Sequence, residues 1–166
     1  MATGPNGGSS APATVLYLDD LRVGQRFTSG ERAVDADRIK SFAAEFDPQP
    51  FHLDEAAAER SMFKGLAASG WHTAALTMRL LADGGLPIAG GIIGIGAELA
   101  WPRPLRPGDR LKVESEVVEI TPSRTRPDRG LVLVRSETLN QRGEPVQILT
   151  AKLMVPRRPG SAAAKL

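Results

Sequence analysis

Apolar positions recur with a helical period in the first half of the chain and with a period near two in the second. Ile39, Phe42, Ala43 and Phe46 fall at i, i+3, i+4 and i+7 behind Asp35, a residue suited to cap a first turn. That spacing predicts a helix running to about Phe46. Pro48 disfavours α geometry at Asp47, so the helix is expected to end there. Asp54 is placed to cap a short helix through Ala56, Ala57, Ala58 and Glu59. A further helix begins near Ser69-Gly70 and reaches about Ala82. Trp71, Ala74, Ala75, Leu76, Met78, Leu80 and Leu81 cover most of its circumference, the pattern of a buried helix, and only His72, Thr73, Thr77 and Arg79 interrupt it. Gly84-Gly85 stops it. Upstream, Val15 to Phe27 reads as a short entry strand or loop.

Strands follow. Ile92 to Trp101 is apolar, and Pro102 to Asp109 is rich in turn formers. Leu111, Val113, Ser115, Val117 and Glu119 alternate with Lys112, Glu114, Glu116, Val118 and Ile120, whereas Leu131 to Leu139 alternates less cleanly. Thr121 to Gly130 reads as a polar loop. Asn140-Gln141-Arg142-Gly143 reads as a hairpin turn, from which Pro145 to Val155 returns. Helices first and strands after predict an α+β fold, with an antiparallel sheet wrapped around one buried helix.

Composition narrows the class. At 166 residues and 42% hydrophobic content, one globular domain is expected, here over residues 14–157. The Gly/Ser/Pro/Ala-rich stretch 1–13 reads as a disordered tail and 158–166 as a flexible one. A net charge of +2 from 21 basic and 19 acidic residues is too small for a nucleic-acid footprint. No apolar run is long enough to span a bilayer, so no membrane partner is expected. The absence of cysteine removes disulfides, thiolate metal sites and a thiol nucleophile, and suits a cytoplasmic setting. With only His52 and His72 and no carboxylate cluster around both, no metal is expected, and no cofactor. Gly90, Gly91, Gly94 and Gly96 do not form a dinucleotide loop; they suit a sheet that bends around the helix.

The candidate chemistry sits in Asp47-Pro48-Gln49-Pro50-Phe51-His52. A carboxylate and an imidazole flank two prolines that fix the backbone between them. Taken alone, these residues fit two readings, a helix-ending Asp with a structural His, or an acid/base pair. In the second reading, the helix end at Asp47 and the neighbouring Phe46 and Phe51 should strengthen the carboxylate as a base. Gly70 would open the buried helix, where amides lack partners and the dipole favours an anion. Asp54 is assigned to capping, His72 and Arg79 to a less apolar stripe outside the chemistry, and Trp101 to the core. Arg103, Arg106, Arg124 and Arg126 are read as solvated unless a phosphate meets them.

Asp47, Pro50, His52 and Asp54 stand as Asp-x-x-Pro-x-His-x-Asp, followed by Phe63, Gly65, Ala68, Ser69 and Gly70, then by Trp101-Pro102-Arg103-Pro104 and Pro107-Gly108-Asp109. Over most of residues 15–156 this resembles the MaoC-like dehydratases and (R)-specific enoyl-CoA hydratases. The resemblance implies a single hot-dog fold, an acyl-CoA thioester substrate, and a homodimer or higher assembly. It also implies a hydro-lyase reaction, with Asp47 and His52 as the catalytic pair and Gly70 N–H as the oxyanion donor. Ser69 stands where members of the family often carry His, so it is placed to influence the substrate accepted. Thioester hydrolysis and non-catalytic acyl-CoA binding are the alternatives on the same fold.

Overall fold

The computed structural model describes residues 14–161, so the expected tail at 1–13 and the last five residues of the other lie outside it. Asp35 caps α1 (Ala36–Phe46) through a 2.8 Å bond from Arg38 N–H. Ile39 and Ala43 are buried as the spacing predicts, but Phe46 is 63% exposed and does not belong to the buried face. Asp47 leaves α geometry with φ −152° and ψ 68°, as the following proline requires. The chain then makes a single helical turn that the sequence reading missed, α2 (Pro50–Leu53). Proline at its first position loses no hydrogen bond, because that amide would have been unpaired anyway. α3 (Glu55–Arg60) follows, with Asp54 accepting from Ala57 N–H at 2.7 Å.

The central helix α4 spans Gly70–Leu80 and continues as a wider turn through Leu81–Gly85, where Gly84 adopts φ +118°. Its buried face is not the one the sequence implied. His72, Thr73 and Thr77 point inward with Leu76 and Leu80, while Trp71, Met78 and Arg79 are exposed. The inward hydroxyls are satisfied within the fold: Thr77 donates to Thr73 O at 2.9 Å, and Thr73 to Ser69 O at 3.3 Å.

The strands are β1 (Arg26–Thr28), β2 (Arg32–Ala33), β3 (Ile93–Ala100), β4 (Arg110–Pro122), β5 (Arg129–Leu139) and β6 (Pro145–Pro156). They pair antiparallel in the order β1-β4-β5-β6-β3, with β2 also on β4. β4 buries Leu111, Val113, Ser115 and Val117 in strict alternation until a register shift between Val117 and Glu119 leaves Glu119 exposed and Ile120 half-buried. β5 alternates as regularly. Its even positions from Gly130 to Thr138 are buried, and the half-buried Leu131 and Leu133 on the other face had blurred the pattern. A second register shift falls between Gly94 and Gly96 on β3, where glycine was expected to let the sheet bend. Core side chains from α4 (Leu76, Leu80), β4 (Val113, Val117), β5 (Val132, Val134) and β6 (Leu153, Val155) form one cluster.

The last residue of the expected domain and the first of the expected tail both pair with the start of the chain. Arg157 meets Asp19 at 2.5 Å, and Arg158 meets Asp20 at 2.7 Å while lying 4.7 Å over the Tyr17 ring.

Candidate active site

The two prolines set the first part of the site. With α1 ended at Asp47 and α2 begun at Pro50, Asp47 and His52 come from two helices that meet at a corner. His52 Nε2 lies 3.4 Å from Asp47 Oδ2. The imidazole is buried, and its Nδ1 is 2.7 Å from the Ala67 carbonyl. A carbonyl only accepts, so Nδ1 carries the proton, and in the neutral ring Nε2 presents a lone pair toward Asp47. Phe51 packs edge-on against the ring at 4.6 Å and helps fix its plane.

Asp47 departs from expectation. Burial works to raise its pKa, but hydrogen bonds from Ser69 and Gln49 and the nearby His52 outweigh that effect and hold the carboxyl below its ordinary value. The Gln49 amide donates to Asp47 Oδ1 at 2.7 Å. The aromatic desolvation expected from Phe46 is missing because that side chain faces solvent. Asp47 is therefore a well-held anion rather than a strengthened base.

Ser69 is fully buried and caps α4, accepting from Trp71 N–H at 3.2 Å. It links the start of α4 to the carboxylate. Gly70 is the first residue of α4, so its amide is one of those a helix leaves without an internal partner. It also has no room for a side chain: a Cβ there would lie 2.7 Å from Trp101 Cε2.

Asp47, His52 and Gly70 line one cavity of about 400 Å³. Its walls include Gln49, Phe63, Trp71, Trp101 and Arg103. Trp101, read from sequence as core, is 41% exposed and forms a wall here, because β3 ends at Ala100 and the chain turns at the mouth of the cavity. Gln49 was also missed; a glutamine between two prolines carries no pattern that distinguishes it from a turn residue. Ser69 lies beneath, bonded to Asp47 without lining the cavity. His72 belongs elsewhere. It is buried, while Arg79 of the same less apolar stripe is exposed, and it stacks on Phe42 at 4.6 Å with 6° between the planes.

Of the four arginines, Arg106 is committed to structure. Its guanidinium donates to the carbonyls of Phe63, Gly65 and Leu66, the bond to Gly65 at 2.7 Å. Arg124 and Arg126 border a different hollow. Arg103 alone of the four lines the Asp47 cavity.

An antiparallel sheet wrapped on one central helix defines a hot-dog fold. Comparison with known proteins agrees. Residues 21–138 match the model of the MaoC like domain, and the chain belongs to that family. A MaoC-like dehydratase from Rhodospirillum rubrum superposes with TM-score 0.86 at 65% identity, over 87% of this chain and 99% of the other. An R-hydratase from Pseudomonas aeruginosa in its unliganded form gives TM-score 0.68 at 34% identity, over 86% of each chain. A 3-hydroxybutyryl-CoA dehydratase of Methylorubrum extorquens is 34% identical over 113 residues, 68% of this chain and 70% of that protein.

Proposed function

We propose that the protein reversibly hydrates a trans-2-enoyl-CoA to the (R)-3-hydroxyacyl-CoA, or runs the reaction as a dehydration. The observation that carries this reading is that Asp47, His52 and the free end of α4 at Gly70 border one cavity. The R-hydratase and the 3-hydroxybutyryl-CoA dehydratase among its relatives support the reaction class.

Hydration needs a water that loses a proton as it attacks the β carbon, a proton for the α carbon, and a partner for charge gathering on the thioester oxygen. The ionised Asp47 and the bare Nε2 of His52 both accept hydrogen bonds. A water between them gives each a hydrogen and turns its own lone pair to the substrate. As the oxygen adds, one of the pair takes its proton and a proton returns to the α carbon, so no net proton is gained or lost. The Ala67 carbonyl holds the Nδ1 proton, so Nε2 is the ring nitrogen that exchanges a proton with the water. The Gly70 amide meets the thioester oxygen, where an unpaired N–H at a helix start is worth most in the transition state.

The test is a panel of enoyl-CoA esters assayed by loss of conjugated-enoyl absorbance, for wild type and Asp47→Asn. Wild type is expected to consume at least one ester, and the variant to stay folded and turn over about 10²–10⁴-fold more slowly. Equal rates for the two proteins overturn the mechanism. Release of free thiol without loss of enoyl absorbance would mark a thioesterase instead.

A further inference from the structure

Three fully buried polar side chains stand in the apolar core without lining the Asp47 cavity: Thr77 on α4, Thr138 on β5 and Gln147 on β6. Buried polar groups destabilise unless paired, and these are paired in one direction. Trp101 Nε1 donates to Gln147 Oε1 at 2.9 Å, and Gln147 Nε2 donates to Thr77 Oγ1 at 3.0 Å. Thr77 Oγ1 also lies 2.6 Å from Thr138 Oγ1 and 2.9 Å from Thr73 O.

Each bond in this chain has one consistent assignment. An indole N–H only donates, so Gln147 must turn its oxygen to Trp101. Its amide nitrogen is then left for Thr77. The Thr77 proton goes to the Thr73 carbonyl, and Thr138 donates to Thr77. The amide cannot flip without breaking two bonds at once, so the ring it holds has a fixed orientation. The other side of that ring rests on Gly70, with Trp71 edge-on at 5.5 Å.

We propose that Trp101 is a specificity-determining wall of the substrate site, and that Gln147, anchored by Thr77, is the positioning residue that locks its indole over Gly70. The inference rests on the hydratase reading for the nature of the substrate. A rigid ring beside the thioester oxygen's partner limits the bulk of the acyl group that can lie there. A ring freed from Gln147 relaxes that limit.

The experiment measures kcat and KM for crotonyl-, trans-2-hexenoyl- and trans-2-octenoyl-CoA with wild type, Trp101→Phe, Gln147→Leu and the double variant. Phenylalanine keeps a ring but has no N–H for Gln147. Each single variant is expected to raise the ratio of octenoyl to crotonyl kcat/KM by about tenfold or more, the size of a one-methylene discrimination. The double variant should match Trp101→Phe, because Gln147 acts through the indole alone. A merely structural Gln147 would leave the ratio unchanged and its losses would multiply with those of Trp101→Phe; that result overturns the inference. Where Gln147→Leu does not fold, Trp101→Phe and Trp101→Ala carry the test, and an unchanged ester ratio in both overturns it. A wild type inactive on every ester sinks the hydratase reading and this inference together. An active wild type with unshifted variants sinks only this one.

Discussion

Ser69 and His72 are three residues apart and both buried, yet their surroundings set them opposite tasks. Ser69 holds Asp47 ionised. A carboxyl whose pKa is depressed in the fold adds stability above its unfolded value, and this is lost as pH falls through the folded value. Ser69→Ala removes one of the donors, so the carboxyl pKa rises. The acid limb of the kcat/KM profile is expected to move to higher pH, and the lost cap to lower stability by about 1 kcal/mol. An acid limb that stays in place would show that Ser69 does not tune the carboxylate. His72 is held neutral. Burial lowers its pKa first, Arg38 adds to this, and Asp35 opposes it. Its Nδ1 is buried with no hydrogen-bond partner among the described residues. The unfolded chain therefore takes up the proton first, near pH 6.5, and stability falls as pH drops from there toward the folded value. His72→Phe keeps the stack on Phe42 and removes the titration. Its thermal midpoint between pH 7 and 5 should fall less steeply than that of wild type.

Among elements, the segment between α3 and α4 depends on a residue far along the chain. Lys64 adopts φ +51° and Gly65 φ +142° there, and Arg106, from the turn before β4, gathers the carbonyls of Phe63, Gly65 and Leu66. Gly65 has little space for a side chain, with Arg106 Nη1 3.3 Å from a built Cβ. The same segment supplies the Ala67 carbonyl that sets the His52 tautomer. A planar fork can meet several carbonyls at once where an ammonium meets them as a point charge. Arg106→Lys is thus expected to lower the unfolding free energy by about 1–3 kcal/mol in a urea melt and to reduce turnover through His52. Wild-type stability and rate in this variant would show that the loop holds itself.

At the scale of the whole molecule, the sheet ends on a strand with exposed apolar side chains. Among the described residues, β3 pairs only with β6 and ends the sheet. Ile93 and Ile95 on it, with Trp71 and Met78 on α4, are large apolar side chains left 45–59% exposed. A hollow of about 350 Å³ lined by Met78, Ile95 and Leu149 lies beside them and shares no residue with the Asp47 cavity. Exposed edges with apolar side chains invite pairing with another chain, and a second copy is the occupant expected from the family resemblance. Sedimentation of wild type should give a dimer or larger, and Ile95→Lys should give monomers. A wild type that sediments as a monomer would remove this expectation.

The helix ends, the alternating strand β4 and the Asn140–Gly143 turn were legible in the sequence because each rests on local rules. Proline forbids α geometry before it, a capping carboxylate reaches an amide three residues on, and a strand shows its buried face every second residue. Three features were decided only by packing. The inward face of α4 is partly polar because Thr138 and Gln147, some sixty and seventy residues later, complete the hydrogen bonds of Thr77. Asp47 is a depressed rather than a raised acid because donors from Gln49 and Ser69 reach it while Phe46 turns away. Trp101 belongs to the cavity rather than the core because Gly70 leaves the space beneath its ring. Local sequence determines where the chain turns and which faces its strands bury, since those depend on near neighbours. The environment of a charge or a ring depends on what distant segments bring to it, and that is settled only when the sheet closes on the helix.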